Sequence, residues 1–200
     1  MDFGHTVSIQ FSAAQPERIF SEFKDKFEGT IVGGNELHFS KKYGDGILKK
    51  YDLEDGLILS ILDMRLTYSL LFTRNPAPEQ TYYPLFFHSS QSSVSQEIEG
   101  EKRLIQSTSP NAIFLPSPHI ATSFFVEPKT HLQVIIIGFS KRWLFKNIRE
   151  SEDSIKSAIL SGEAFFIYES IDFGFQSIIS DILQKSEDSN FLFKKTKSYE

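Results

Sequence analysis

Between Glu36 and Phe139 the chain is a succession of short apolar runs broken by turn residues, and this texture limits the fold more than any other feature. The runs include "GILKKYDL", "GLILSILD", "LTYSLLF", "YYPLFFH", "VSQEI", "RLIQ", "AIFL", "IATSFFV" and "LQVIIIGF". They are separated by "YGDG", "LEDG", "RNPAPEQ", "IEGEK", "TSPN", "PSP" and "EPKT". Strands recurring every ~8–12 residues, with no long helical window between them, belong to an antiparallel sandwich or barrel. Parallel strands would need crossovers that these short gaps cannot supply. The expected fold is therefore mainly β with α, built on an antiparallel jelly-roll barrel. Phe is abundant, 20 residues against one Trp and two Met, and rings of this kind suit the pleated surface of such a core.

Helical periodicity occurs only at the two ends. "QPERIFSEFKDKFEG" has Pro near its start and Gly29 past its end, and puts Ile19, Phe20, Phe23 and Phe27 on one helical face. Beyond Ser140, "SKRWLFKNI" opens with a Ser N-cap and "SEDSIKSAILSG" is closed by Gly162. "FQSIISDIL" then aligns Phe175, Ile178, Ile179, Ile182 and Leu183. Two regions follow from this change of period: 1–139, an N-terminal helix plus barrel, and 140–200, a helical linker and dimerisation segment. The wide stripe Phe175/Ile178/Ile179/Ile182/Leu183 is expected to pair with a second copy of the chain, making a homodimer. The segment behind Ser189 reaches Glu200 without a stop signal, so the chain is expected to end inside a helix, as a truncated protein does.

Several function classes are excluded or made remote. Without cysteine there is no disulfide, thiolate metal site or cysteine nucleophile. The net charge of −5, with no dense Lys/Arg cluster, argues against nucleic-acid binding by this chain alone. The N-terminus lacks the pattern of a secretory signal, and no stretch approaches ~20 apolar residues, so the protein is expected in the cytoplasm and not in a membrane. There is no G-x-S-x-G, no G-x-G-x-x-G and no Walker A pattern. A metal site needs several ligands converging on one point, as two His one residue apart on a strand edge with a third on a later strand would supply. Here His88 is followed by Ser90 where the second imidazole would sit, and His5, His38, His119 and His131 stand singly. No catalytic residue, metal ligand or cofactor is assigned; each His is expected to be hydrogen-bonded or exposed.

What remains is a set of apolar bodies with polar tips. Tyr68, Tyr83, Phe86 and His88 lie on two neighbouring runs and combine ring faces with hydrogen-bonding ends, the mixture that lines small-molecule sites. They are the expected contacts of a small organic effector held inside the barrel.

The order of pieces from about Leu53 to Leu144 resembles the cupin-type effector-binding domain of AraC-family transcriptional regulators. "LEDGLILSILDMRL" leads to "LLFTRNPAPEQTYYPLFFH", the hairpin "VSQEIEGEKRLI", "PNAIFLPSPH" and finally "LQVIIIGFSKRWL", where a barrel strand runs directly into a helix. The resemblance implies a small-molecule sensor that couples effector binding and dimerisation to DNA binding by a C-terminal helix-turn-helix region not in this chain. It differs from some relatives in having the helix Pro16–Phe27 where they carry only an arm. The missing second His sets it apart from the enzymatic cupins, so the function is expected to be non-enzymatic. A metal-dependent cupin enzyme and a ligand-free dimerisation domain are the alternatives.

Overall fold

A computed structural model of the chain describes residues 6–12, 16–77, 82–90, 94–98, 100–105, 111–147, 153–170, 177 and 181–182. The elements in order are β1 (Thr6–Ser12), α1 (Pro16–Lys26), β2 (Thr30–Val32), β3 (Glu36–His38), β4 (Gly44–Glu54), β5 (Leu57–Leu66), β6 (Ser69–Asn75), β7 (Tyr82–Ser90) and β8 (Val94–Ile98). They continue with β9 (Glu101–Ile105), β10 (Asn111–Pro116), β11 (Thr122–Val126), β12 (His131–Ser140), α2 (Lys141–Asn147), α3 (Asp153–Ser161) and β13 (Phe166–Ser170).

Strands β5 to β12 are shared between two sheets, with only β8 and β9 staying together as a hairpin in one of them. One contains the order β10-β7-β12-β5 and the other β6-β11-β8-β9, which is the double Greek-key connectivity of a jelly roll. The expected fold class is thus observed. The first sheet is widened by β4, β3 and β2 on one side and by β13 on the other; the second gains β1, which runs parallel to β6.

The incomplete alternation of the strand sequences has a direct cause: the central strands of the larger sheet, β5, β7 and β12, carry buried residues on both faces. In β12 the inner face carries Leu132, Val134 and Ile136, which join the core between the sheets. Its outer face carries Ile135 and Phe139, which belong to two further clusters. Helices cover part of that outer face, where Leu144 of α2 and Ile159 of α3 pack with Tyr83, Leu115 and Phe139. Helix α1 instead turns its Phe face into the main core. Phe23 and Phe27 are fully buried there, and Phe27 stacks on Phe39 with ring centroids 4.4 Å apart.

The first two helix signals beyond Ser140 are realised, and the third falls mostly outside the described residues. The Ser140 hydroxyl accepts from the Trp143 N–H at 3.1 Å, capping α2, and Gly162 at φ +68° follows α3. Gly56, at φ +84° between β4 and β5, sits where a Cβ would lie 2.3 Å from the Ser140 hydroxyl oxygen, so this turn and the start of α2 meet only because the side chain is absent. One segment differs from the all-helical expectation for the C-terminal region. Residues Phe166–Ser170 form β13, antiparallel to β10, because Phe166 and Ile167 address opposite faces and complete an edge that β10 would otherwise expose.

Candidate functional site

Between the two sheets lies a cavity of about 40 Å³. It is lined from six strands by residues such as Leu62, Leu70, Phe86, Phe114, Phe124 and Val134, and every lining residue among those described is apolar. One wall is a continuous series of rings. Phe86 stacks on Phe114 at 4.7 Å, Phe114 lies 5.1 Å from Phe124, Phe124 lies 6.4 Å from Phe72, and Phe72 meets Phe23 of α1 edge-on at 5.6 Å. Such a lining supplies shape and burial; its described residues include no acid, base or nucleophile.

The structure does not bring the four expected contacts together. Phe86 lines the cavity. Tyr83, three residues earlier on the same strand, faces the other way and packs against Phe139 and Phe165 under α2 and α3. An odd separation along a strand puts two side chains on opposite faces, so the period-2 rule alone separates this pair. Tyr68 lies between β5 and β6 and packs at the core margin, with its ring 6.2 Å from that of Tyr43. His88 sits in β7 opposite Ala112 and Val134, and its side chain lies outside the described residues.

Two other histidines have carboxylate partners. His131 Nε2 is 2.8 Å from Asp63, whose second oxygen accepts from Gln133 at 2.7 Å; His38 is 3.2 Å from Glu36. His119 is exposed. Among the described residues no group of three or more His, Asp or Glu is placed to hold a metal ion. The described helices include none long and apolar enough to cross a membrane.

A second buried feature escaped the sequence reading. Arg74, at the end of β6, is fully buried. Its guanidinium donates to the Ile120 carbonyl at 2.9 Å and to the Ser117 carbonyl at 3.1 and 3.2 Å. Burial lowers its pKa to about 10, which leaves it charged at neutral pH. Ser117 is tied onward to the segment before β13: its N–H donates to the Phe165 carbonyl at 2.9 Å, and its hydroxyl accepts from the Phe165 N–H at 3.1 Å. In sequence Arg74 opens the turn "RNPAPEQ", and an arginine beside Asn and Pro reads as solvated.

Of the apolar stripe near the C-terminus, Ile182 is half-buried and packs on the outer face of the larger sheet against the cluster of Tyr51, Leu59, Ile61 and Ile135. Phe175, Ile178, Ile179 and Leu183 lie outside the described residues.

No family model matches the sequence, and no curated protein does. Among solved structures the chain is similar to the AraC-like transcriptional activator CuxR, with a TM-score of 0.45 and 10% identity over 90% of this chain and 61% of that one. It is also similar to ToxT from Vibrio cholerae, at 0.40 and 15% over 72% of this chain and 57% of that one. The Schizosaccharomyces pombe Cnp3 cupin domain is a third, at 0.35 and 8% over 51% of this chain and 72% of that one. The chain therefore spans roughly three fifths of the length of the first two proteins.

Proposed function

We propose that this chain is the effector-sensing part of a transcription regulator of the AraC type. Its jelly roll takes a small molecule into the interior and conveys occupancy, through dimerisation, to a helix-turn-helix region outside this chain. The observation that carries the reading is the cavity between the sheets, whose described lining offers van der Waals contact without catalytic groups. The order of strands and the strand-to-helix junction at Ser140 agree with the same reading. Binding without turnover makes this a non-enzymatic role. Homodimerisation through Phe175, Ile178, Ile179, Ile182 and Leu183 belongs to the proposal as well, with Ile182 already engaged on its own barrel. The test is a fusion of the chain to a heterologous DNA-binding domain that represses only as a dimer. Repression that depends on the fused chain and changes when a cavity ligand is added supports the reading. A fusion that never represses refutes the dimeric part, and repression indifferent to every cavity ligand refutes the sensing part.

A further inference from the structure

The chemistry of the cavity narrows what it can hold. At about 40 Å³ it has space for roughly three water-sized positions, well below the ~150 Å³ apolar cavity that accepts benzene. Its described walls are aliphatic side chains and Phe rings. A hydroxyl brought against them would lose its water partners and gain none, a loss of about thirtyfold or more in affinity for each unpaired group. Apolar cavities of this kind stay dry, and an apolar guest fills them without displacing any bound water. Met64, which is fully buried, also lines the space, and its unbranched thioether adapts to slim guests at low cost.

We infer that the interior takes the end of a slim alkyl group, a few carbons long, from an effector whose polar part stays outside the ring-lined cavity. This rests on the sensing role proposed above and assigns the chemical class of the ligand at that same site. Against these described walls a sugar or other polyol finds no hydrogen-bonding partner. The aliphatic walls report occupancy directly, because Leu70, Val126, Val134 and Ile136 all border the space and carry methyl groups visible in carbon-13 methyl spectra.

The experiment compares xenon, 1-butanol and erythritol, the last two sharing a four-carbon skeleton but differing in hydroxyl count. Xenon and 1-butanol are expected to shift the methyl signals of Leu70, Val126, Val134 and Ile136 saturably, and erythritol at equal concentration to leave them unmoved. Val134→Ile, which fills part of the space with one methylene, is expected to weaken 1-butanol binding tenfold or more while the protein remains folded. Leu70→Ala, which enlarges the cavity, is expected to strengthen it. Shifts caused by erythritol, with none from 1-butanol, overturn the alkyl assignment and leave the sensing role standing. Absence of any shift from all three probes overturns both. If Val134→Ile binds 1-butanol like the parent protein, the alcohol is seated elsewhere and the assignment falls.

Discussion

The ring of Phe166 lies 6.1 Å from that of Phe114 at an interplanar angle of 23°, so the last described strand extends the aromatic wall that encloses the cavity. β13 thereby joins the barrel at a point separated from β12 by two helices. Phe166 is only half-buried, so Phe166→Ala should cost ~1–2 kcal/mol, less than the ~3–5 kcal/mol of a fully buried ring. For a chain of this size that is a fall in Tm of about 2–8 °C. Calorimetry checks it, together with faster amide exchange in β13; an unchanged Tm would show that this strand adds nothing to the barrel.

Arg74 offers a sharper effect. Arg74→Met removes the donors that hold the Ser117 and Ile120 carbonyls in a fully buried place. Hydrogen bonds to a charged group contribute ~1.5–3 kcal/mol each, so a loss of ~3 kcal/mol or more in urea denaturation is expected. Arg74→Lys keeps the charge but not the planar fork, and should recover only part of it. A loss below ~1 kcal/mol for the Met variant contradicts the clamp described here.

Glu22 on α1 gives a pH-dependent signature. Burial raises its carboxyl pKa above the ordinary value, and Arg18 offsets this only in part. A carboxyl with a raised folded pKa binds its proton more tightly when folded, so it gains stability as pH falls toward the unfolded value near 4.5. The stability of Glu22→Gln relative to the parent should therefore improve as pH is raised from about 4.5, and level off once the pH passes the folded pKa. Parallel pH–stability curves for the two proteins would exclude the raised pKa.

Tyr83 and Phe86, on opposite faces of β7, separate the cavity from its surroundings. Tyr83→Phe alters a side chain on the outer face, under α2 and α3, and should leave 1-butanol affinity within about twofold of the parent. Phe86→Ala removes a cavity wall and should destabilise the protein by ~3–5 kcal/mol while changing that affinity at least several-fold. Methyl-spectrum titrations measure both; equal effects from the two variants would contradict the face assignment.

For the dimer, light scattering at micromolar concentration should give twice the chain mass for the parent protein and a single chain for Ile179→Glu. Ile182→Glu should instead lower Tm first, because Ile182 packs against Tyr51, Leu59, Ile61 and Ile135. A parent protein monomeric at high concentration rules the homodimer out.

Much of the architecture was legible because turn residues punctuate nearly every strand and the gaps are too short for crossovers. The Ser140 cap, the Gly162 stop and the apolar face of α1 followed from local chemistry. β13 was not legible: "FFIYES" is short and apolar on both faces, and only the open edge of β10 decides that it becomes a strand. Tyr83 was grouped with Phe86 by composition although their odd spacing on β7 already separates them. Arg74 was hidden for a different reason, since its burial depends on carbonyls more than 40 positions away, which no local pattern reveals.

The central pairing of the larger sheet, Leu57 with Phe139 through Arg65 with His131, has a consequence for biosynthesis. On a ribosome β5 emerges long before β12, and its run "LILSILDMRL" has apolar residues on both faces with one side still unpaired. Pairings of such sequence separation form slowly because loop closure precedes any gain from contact. The nascent chain must therefore shelter an adhesive strand for the whole time taken to translate the rest of the barrel, a window in which chaperone capture and self-association compete with closure.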